Sequence, residues 1–219
     1  MQRRAQVARL RISEIFYSLQ GEADTAGMPT VFVRLTGCPL RCQYCDTEYA
    51  FHGGEWWEVE AVVQRVRELG GRHVCVTGGE PLAQKSCLSL LNRLCDAGCR
   101  VSLETSGAMS LQGVDERVVR VVDVKTPGSR EESRNRYDEL SRLNARDLVK
   151  FVICDRGDYE WSCAKVRELG LEDRCTVLFS PSHEQLPARE LADWILDDRL
   201  QVRFQIQLHK YLWGDVPGK

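Results

Sequence analysis

Cys38-Pro-Leu-Arg-Cys42-Gln-Tyr-Cys45 puts three cysteines on one short loop with C-x3-C-x2-C spacing, and no fourth cysteine follows until Cys75. Three thiolates so close together can hold three corners of a cubane iron–sulfur cluster, which ordinarily takes four Cys ligands. The corner left over is an open coordination position, the feature that separates catalytic metal sites from closed structural ones. The competing reading is a zinc loop. Zinc needs a fourth Cys or His, for which His52 is the near candidate, and structural zinc sites usually pair two knuckles. No second C-x2-C occurs in the chain.

Around this loop the composition is that of an ordinary globular protein. The 219 residues carry a net charge of -2 with both signs interspersed, so no global field recruits nucleic acid. The opening Met1–Leu10 lacks the apolar run of a signal peptide, and no stretch reaches the 18 or more apolar residues of a membrane span. A cytoplasmic protein is expected, and in a reducing compartment the ten cysteines are expected to be free thiols. Cys87 and Cys95 fall on an apolar helical stripe, where Cys behaves as a small hydrophobe. Cys154, Cys163 and Cys175 match no ligand spacing.

Short apolar strands alternate with helical patterns, which predicts a parallel α/β sheet. Strands are expected at Thr30–Leu35, His73–Thr77, Arg100–Thr105, Val119–Lys125, Val149–Ile153, Thr176–Phe179 and Val202–Leu208. Helices are expected at Glu58–Leu69, Gln84–Ala97, Tyr159–Leu169 and Ala188–Leu200, with Gly70, Gly98 and Gly170 as C-caps. Ser106–Arg117 and Gly128–Asp147 have weak helical pattern, so some crossovers are reduced. The chain is also short for a closed eight-stranded barrel of about 250 residues. The fold class is therefore an incomplete, splayed parallel (β/α) barrel of six to seven strands, one domain over residues 1–219.

Several strands have a polar face. Period-2 alternation sets Thr30, Phe32 and Arg34 opposite Val31, Val33 and Leu35, and Ser102, Glu104 and Ser106 opposite Val101 and Leu103. In the last strand Arg203, Gln205, Gln207 and His209 oppose Val202, Phe204, Ile206 and Leu208. Such a face is solvated in an antiparallel sheet. With helices packing the outside of a parallel barrel, it lines a polar cavity instead.

Thr77-Gly78-Gly79-Glu80-Pro81 closes the strand that starts at His73, where paired glycines let backbone approach a ligand. Thr47, beside Cys45-Asp46, offers a hard oxygen of the kind Mg2+ accepts, although one hydroxyl needs further oxygens from a substrate. Glu22, at the end of Glu14-Ile-Phe-Tyr-Ser-Leu-Gln-Gly-Glu22, can accept paired N–H bonds from an amino-pyrimidinone edge. Arg34 is a candidate carboxylate clamp.

The cysteine spacing resembles that of the radical S-adenosylmethionine enzymes. Ser18-Leu-Gln-Gly-Glu22, Phe32-Val-Arg-Leu-Thr-Gly-Cys-Pro-Leu-Arg-Cys42, Cys45-Asp-Thr47, Thr77–Pro81, Glu104-Thr-Ser-Gly107, Val149-Lys-Phe-Val-Ile153 and Leu208-His-Lys210 together resemble the 7-carboxy-7-deazaguanine synthase family. The resemblance spans residues 12 to 210. It implies ring contraction of 6-carboxy-5,6,7,8-tetrahydropterin to 7-carboxy-7-deazaguanine with loss of ammonia, on the way to queuosine and related deazapurines. It also implies a [4Fe-4S] cluster, S-adenosylmethionine cleaved to a 5′-deoxyadenosyl radical, Mg2+, an electron donor such as flavodoxin, and a homodimer. Cys38, Cys42 and Cys45 would hold the cluster and Thr47 the Mg2+. Leu19, Gln20, Gly21, Glu22, Arg34, Thr77 and His209 would bind the pterin. Tyr44, Asp46, Gly78, Gly79, Glu80, Ser106, Val124, Lys125 and Thr126 would contact the cofactor. The Lys125-Thr-Pro127 segment and the tail Tyr211–Lys219 depart from the family pattern.

Two other classes use a similar loop. A glycyl-radical activase would act on a protein and would not need Thr47 or the Leu19–Glu22 segment. A one-cluster electron carrier would need a fourth ligand and would have no use for Thr77–Pro81.

Overall fold

The computed structural model describes residues 7–214, 216 and 218. The opening residues 1–6, and 215, 217 and 219 in the unmatched tail, lie outside the described residues. Strand β1 (Arg9–Leu19) leads antiparallel into β2 (Pro29–Leu35), and β3 (Glu55–Glu58) pairs antiparallel with β1 on the other side. The chain then alternates α1 (Val59–Leu69), β4 (His73–Gly78), α2 (Cys87–Asp96), β5 (Arg100–Thr105) and β6 (Val119–Asp123). It finishes with β7 (Leu148–Ile153), α3 (Arg156–Leu169), β8 (Thr176–Pro181), α4 (Ala188–Asp197), β9 (Arg203–Phe204) and α5 (Leu208–Trp213). The strand order β3-β1-β2-β4-β5-β6-β7-β8-β9 is linear, so the sheet stays open. From β2 to β9 every pairing is parallel, which makes the incomplete parallel barrel expected from sequence.

The antiparallel edge was not expected, and its cause is local. Ile12 pairs with Leu35 and Glu14 with Arg34, so Ser13 is an extra residue in β1. Such a bulge shifts the side-chain alternation by one. Leu10 and Ile12 face the core before it, and Ile15 packs there after it. The period-2 signal is thereby cancelled.

Four helices cover the outer face of the sheet. Val31, Val33, Leu35, Val74, Val76 and Leu103 pack with α1 and α2 through Val62, Val66, Leu90, Leu91 and Leu94. Val149, Phe151, Ile153, Val177 and Phe179 do the same with Tyr159 and Val166 of α3 and Leu191 and Ile195 of α4. Each such side chain contributes roughly 1.5–3 kcal/mol of burial. Ser106–Arg117 and Gly128–Asp147 form no α-helix, and the second holds only 3-10 turns such as Tyr137–Arg142. Gly70 and Gly170 cap α1 and α3, while α2 ends a residue earlier than expected, at the cap Ala97.

The last expected strand, Val202–Leu208, shrinks to Arg203–Phe204. The Gln205 N–H still donates to Phe179, but the Leu208 N–H donates to the Gly21 carbonyl at 3.0 Å. The backbone thus leaves the sheet to meet the turn after β1, and Leu208–Trp213 winds into a helix. Among the described residues no helix is long and apolar enough to cross a membrane.

Candidate active site

With the helices outside, the inner face of the open barrel encloses a cavity of about 620 Å³. Cys38, Cys42 and Cys45 line one part of its wall, on the loop that leaves β2. That loop is fastened to its neighbours by backbone bonds. The Gly37 N–H donates to Ala50, the Glu80 N–H to Gly37 and the Gln43 N–H to Ser129. A Cβ on Gly79 would run into the Gly37 carbonyl, so two loops approach here as only glycine allows.

All ten cysteines are free. Burial pushes the Cys38 and Cys45 thiols up and takes Cys42 to about 11, with Lys125 opposing at Cys42. They are thiols at neutral pH, and a metal would have to displace their protons. Among the described residues no three His, Cys, Asp or Glu side chains converge as ready-made metal ligands. The cluster fits on other grounds: three unpaired thiols share one wall, and the buried ammonium of Lys125 stands by to balance the negative charge of a thiolate-bound cluster.

Beyond the cysteines, Leu19, Gln20, Gly21 and Glu22 line the cavity from the turn after β1. Arg34 and Thr77 do so from β2 and β4, and His209 from α5. His209 packs so closely on Gly21 that a Cβ there would meet its Nδ1. Burial lowers the His209 pKa. Tyr44, Asp46, Thr47, Gly78, Gly79 and Ser106 also line the wall, as does Lys125.

Three residues expected to contact the cofactor have side chains that do not line the cavity. Glu80 is fully buried and turned away from the cavity. Its carboxylate accepts bonds from the Leu82 and Ser106 N–H groups and from the Thr105 and Ser106 hydroxyls. It therefore holds the glycine loop against β5. The side chain of Val124 alternates away from those of Asp123 and Lys125 and packs in the second core cluster. Thr126 is buried too, its hydroxyl bonded to the Val152 carbonyl and Asp158.

The charged floor of the cavity was largely missed. Lys150 Nζ lies 2.6 Å from Glu22 Oε2 and 3.8 Å from both Glu104 and Asp123. Asp123 in turn meets Lys125 at 2.9 Å. Burial acts to raise the Glu22 pKa, but Lys150 overcomes it and holds Glu22 low and ionised. The signal in the sequence was a lysine in the middle of apolar Val149–Ile153 and an aspartate ending Val119–Asp123.

At another part of the wall Arg34 Nε meets Glu14 Oε1 at 2.7 Å, and the Tyr49 hydroxyl donates to the same oxygen. Glu14 is thus the residue that neutralises Arg34. Phe16 and Phe32 stack beside them with centroids 4.9 Å apart, making a flat apolar patch. Gln207 Nε2 ties Glu22 to Asp46, and Thr47 donates to Asp46 at 2.8 Å. Buried polar atoms of Gln20, Tyr44, Glu104 and Asp123 lack protein partners, as a site built for a polar ligand would leave them.

Residues 32–186 match the model of the Radical SAM superfamily. The chain is 42% identical over 219 residues to the 7-carboxy-7-deazaguanine synthase of Koribacter versatilis, covering 93% of this chain and 97% of that one. The chain belongs to the 7-carboxy-7-deazaguanine synthase family. The family's protein from Chlorobaculum tepidum is 43% identical, covering 94% and 96%. The crystal structure of QueE from Escherichia coli superposes with a TM-score of 0.77 at 24% identity, over 92% of this chain and 95% of that one, and so shares the fold. Membership makes the chain a radical S-adenosylmethionine enzyme with a [4Fe-4S] cluster, and it favours the synthase reading over the activase and the electron carrier.

Proposed function

We propose that the chain converts 6-carboxy-5,6,7,8-tetrahydropterin to 7-carboxy-7-deazaguanine with release of ammonia, in the route to queuosine and related deazapurines. The observation that carries this reading is that one cavity holds the three cluster cysteines and also a paired set of recognition groups, Glu22 and Arg34. Bound S-adenosylmethionine supplies the 5′-deoxyadenosyl group that abstracts hydrogen. Cys38, Cys42 and Cys45 hold the cluster. Tyr44, Gly78, Gly79, Ser106 and Lys125 form the cofactor's wall.

Glu22, kept ionised by Lys150, accepts the N–H groups of the amino-pyrimidinone edge. Gln20, Gly21, Thr77 and His209 surround the ring, and the Phe16–Phe32 patch offers it a face. Arg34 turns its guanidinium to the substrate carboxylate. Thr47 binds Mg2+ together with substrate oxygens, and the adjacent Asp46 carboxylate adds the negative charge that one hydroxyl lacks. Residues 1–219 work as one domain in a cytoplasmic homodimer, reduced by a small one-electron carrier of the flavodoxin type.

The test is anaerobic cluster reconstitution followed by addition of the carboxypterin with S-adenosylmethionine, Mg2+ and a reductant. Formation of the deazaguanine acid with one ammonia is expected. Deoxyadenosine release without that product would overturn the assignment.

A further inference from the structure

Glu104 stands out among the cavity's carboxylates because the protein does not use it up. Its Oε1 is buried without a hydrogen-bond partner, its Oε2 has only Lys150 at 3.8 Å, and the side chain faces the cavity. By contrast Glu22 is bonded by Lys150 and Gln207, Asp46 by Thr47 and Gln207, and Asp123, whose Oδ1 also lacks a partner, is paired through Oδ2 with Lys125 at 2.9 Å. A buried carboxyl oxygen with no partner is costly, so one retained in a ligand cavity points to a partner the ligand brings.

Substrate and product in the proposed reaction differ by one ammonia, so the overall change is redox-neutral. Ring contraction is an isomerisation in which a C–C and an N–H bond form as one C–N and one C–H bond break, and the elimination of ammonia that follows breaks a second ring C–H and the last C–N bond. In that elimination the C–H electron pair becomes the new ring double bond, the C–N pair leaves with nitrogen, and the carbon's proton has to reach that nitrogen. Resting on the proposed function, we propose that Glu104 is a catalytic residue that takes the ring proton as a carboxylate and returns it to the departing amine. No external oxidant or reductant enters this step, and the carboxyl ends as it began.

The surroundings suit a group that changes charge. Cys75 on β4, Arg34 on β2, Asp123 on β6 and Lys150 on β7 face the same space, with Lys125, Glu22, Asp24 and His209 around them. Burial first, then Glu22 and Asp123, raise the Glu104 carboxyl to about 7 against the pull of Lys150, where both forms are populated at neutral pH.

The test compares the reconstituted parent enzyme with E104Q and E104D. E104Q should bind the carboxypterin within about threefold of the parent and still pass deuterium from labelled substrate to the cofactor. It should release product and ammonia at least about 100-fold more slowly, the usual scale of a lost acid–base group. E104D should recover part of the rate and keep the pH limb near neutrality that E104Q loses. Infrared titration of the folded protein should show a carboxyl band changing near pH 7 that is missing in E104Q. Product formation by E104Q within threefold of the parent, or loss of deuterium transfer in step with product, would overturn the proposal. A parent that cleaves cofactor but never converts the pterin would instead overturn the function on which the proposal rests, and the infrared band would still report whether Glu104 titrates there.

Discussion

Lys150 and Glu22, 128 positions apart in the chain, meet at 2.6 Å on the floor of the cavity. The same ammonium faces Glu104 and Asp123, so one lysine stands among three carboxylates. Removing one partner from a buried ion pair costs roughly 3–5 kcal/mol.

Lys150→Met should therefore destabilise the protein strongly at pH 8 and less at pH 5. Glu104 sits above the ordinary glutamate value of 4.5, at about 7, so its share of stability is complete below 4.5 and lost as pH rises through 7. Glu22 is held low by Lys150, so its share is present above 4.5 and lost as pH falls through its lowered value. Without the lysine both carboxyls protonate more readily and acid relieves the strain. Urea unfolding at the two pH values checks this. An equal loss at both would remove Lys150 as their counter-ion.

Replacing Cys38, Cys42 or Cys45 with Ala should abolish cofactor cleavage. Cys154→Ala and Cys163→Ala should leave iron and acid-labile sulfide unchanged, because those thiols lie outside the cavity wall. Iron analysis after reconstitution decides it, and more iron than one cubane per chain would contradict the single cluster.

Thr47→Ala should reduce turnover and flatten its Mg2+ dependence while the cluster assembles normally. The Asp46 carboxylate keeps its bond to Gln207, so the wall should not collapse. A Mg2+ titration of turnover matching that of the parent would discard Thr47 as the ligand.

Arg34→Ala should weaken pterin binding by roughly 30-fold or more, the equivalent of about 2 kcal/mol, the low end for truncating a buried charged partner. Arg34→Lys should restore only part, since an ammonium lacks the planar fork. Glu14 remains bonded to Tyr49 in both variants, which limits damage to the fold. Equilibrium titration of cluster-loaded protein measures the effect, and parental affinity in Arg34→Ala would take Arg34 out of the site.

The cysteine loop, the glycine pair and the alternation of β2 were legible because each is local: a few adjacent residues carry the whole signal. What escaped was set by distant partners. β1 lost its alternation at Ser13, where the bulge answers to β2. The inward turn of the Glu80 side chain is set by Thr105 and Ser106 on the neighbouring strand. Val124 was grouped with Lys125, although the strand's own period sends the two to opposite faces. Gln207 reaches the cavity, yet by leaving the sheet and not as part of the expected strand.

The bond from Gln207 to Glu22, with Glu22 in turn on Lys150, joins three stretches that are remote along the chain. Closing contacts of such sequence separation costs loop entropy, which slows folding. A small molecule bound to these groups touches all three stretches, and so it resists opening of the whole sheet rather than of one loop. Its binding energy then appears as global protection, growing with the logarithm of its concentration. Saturating carboxypterin should slow amide exchange in β2 and β7 alike.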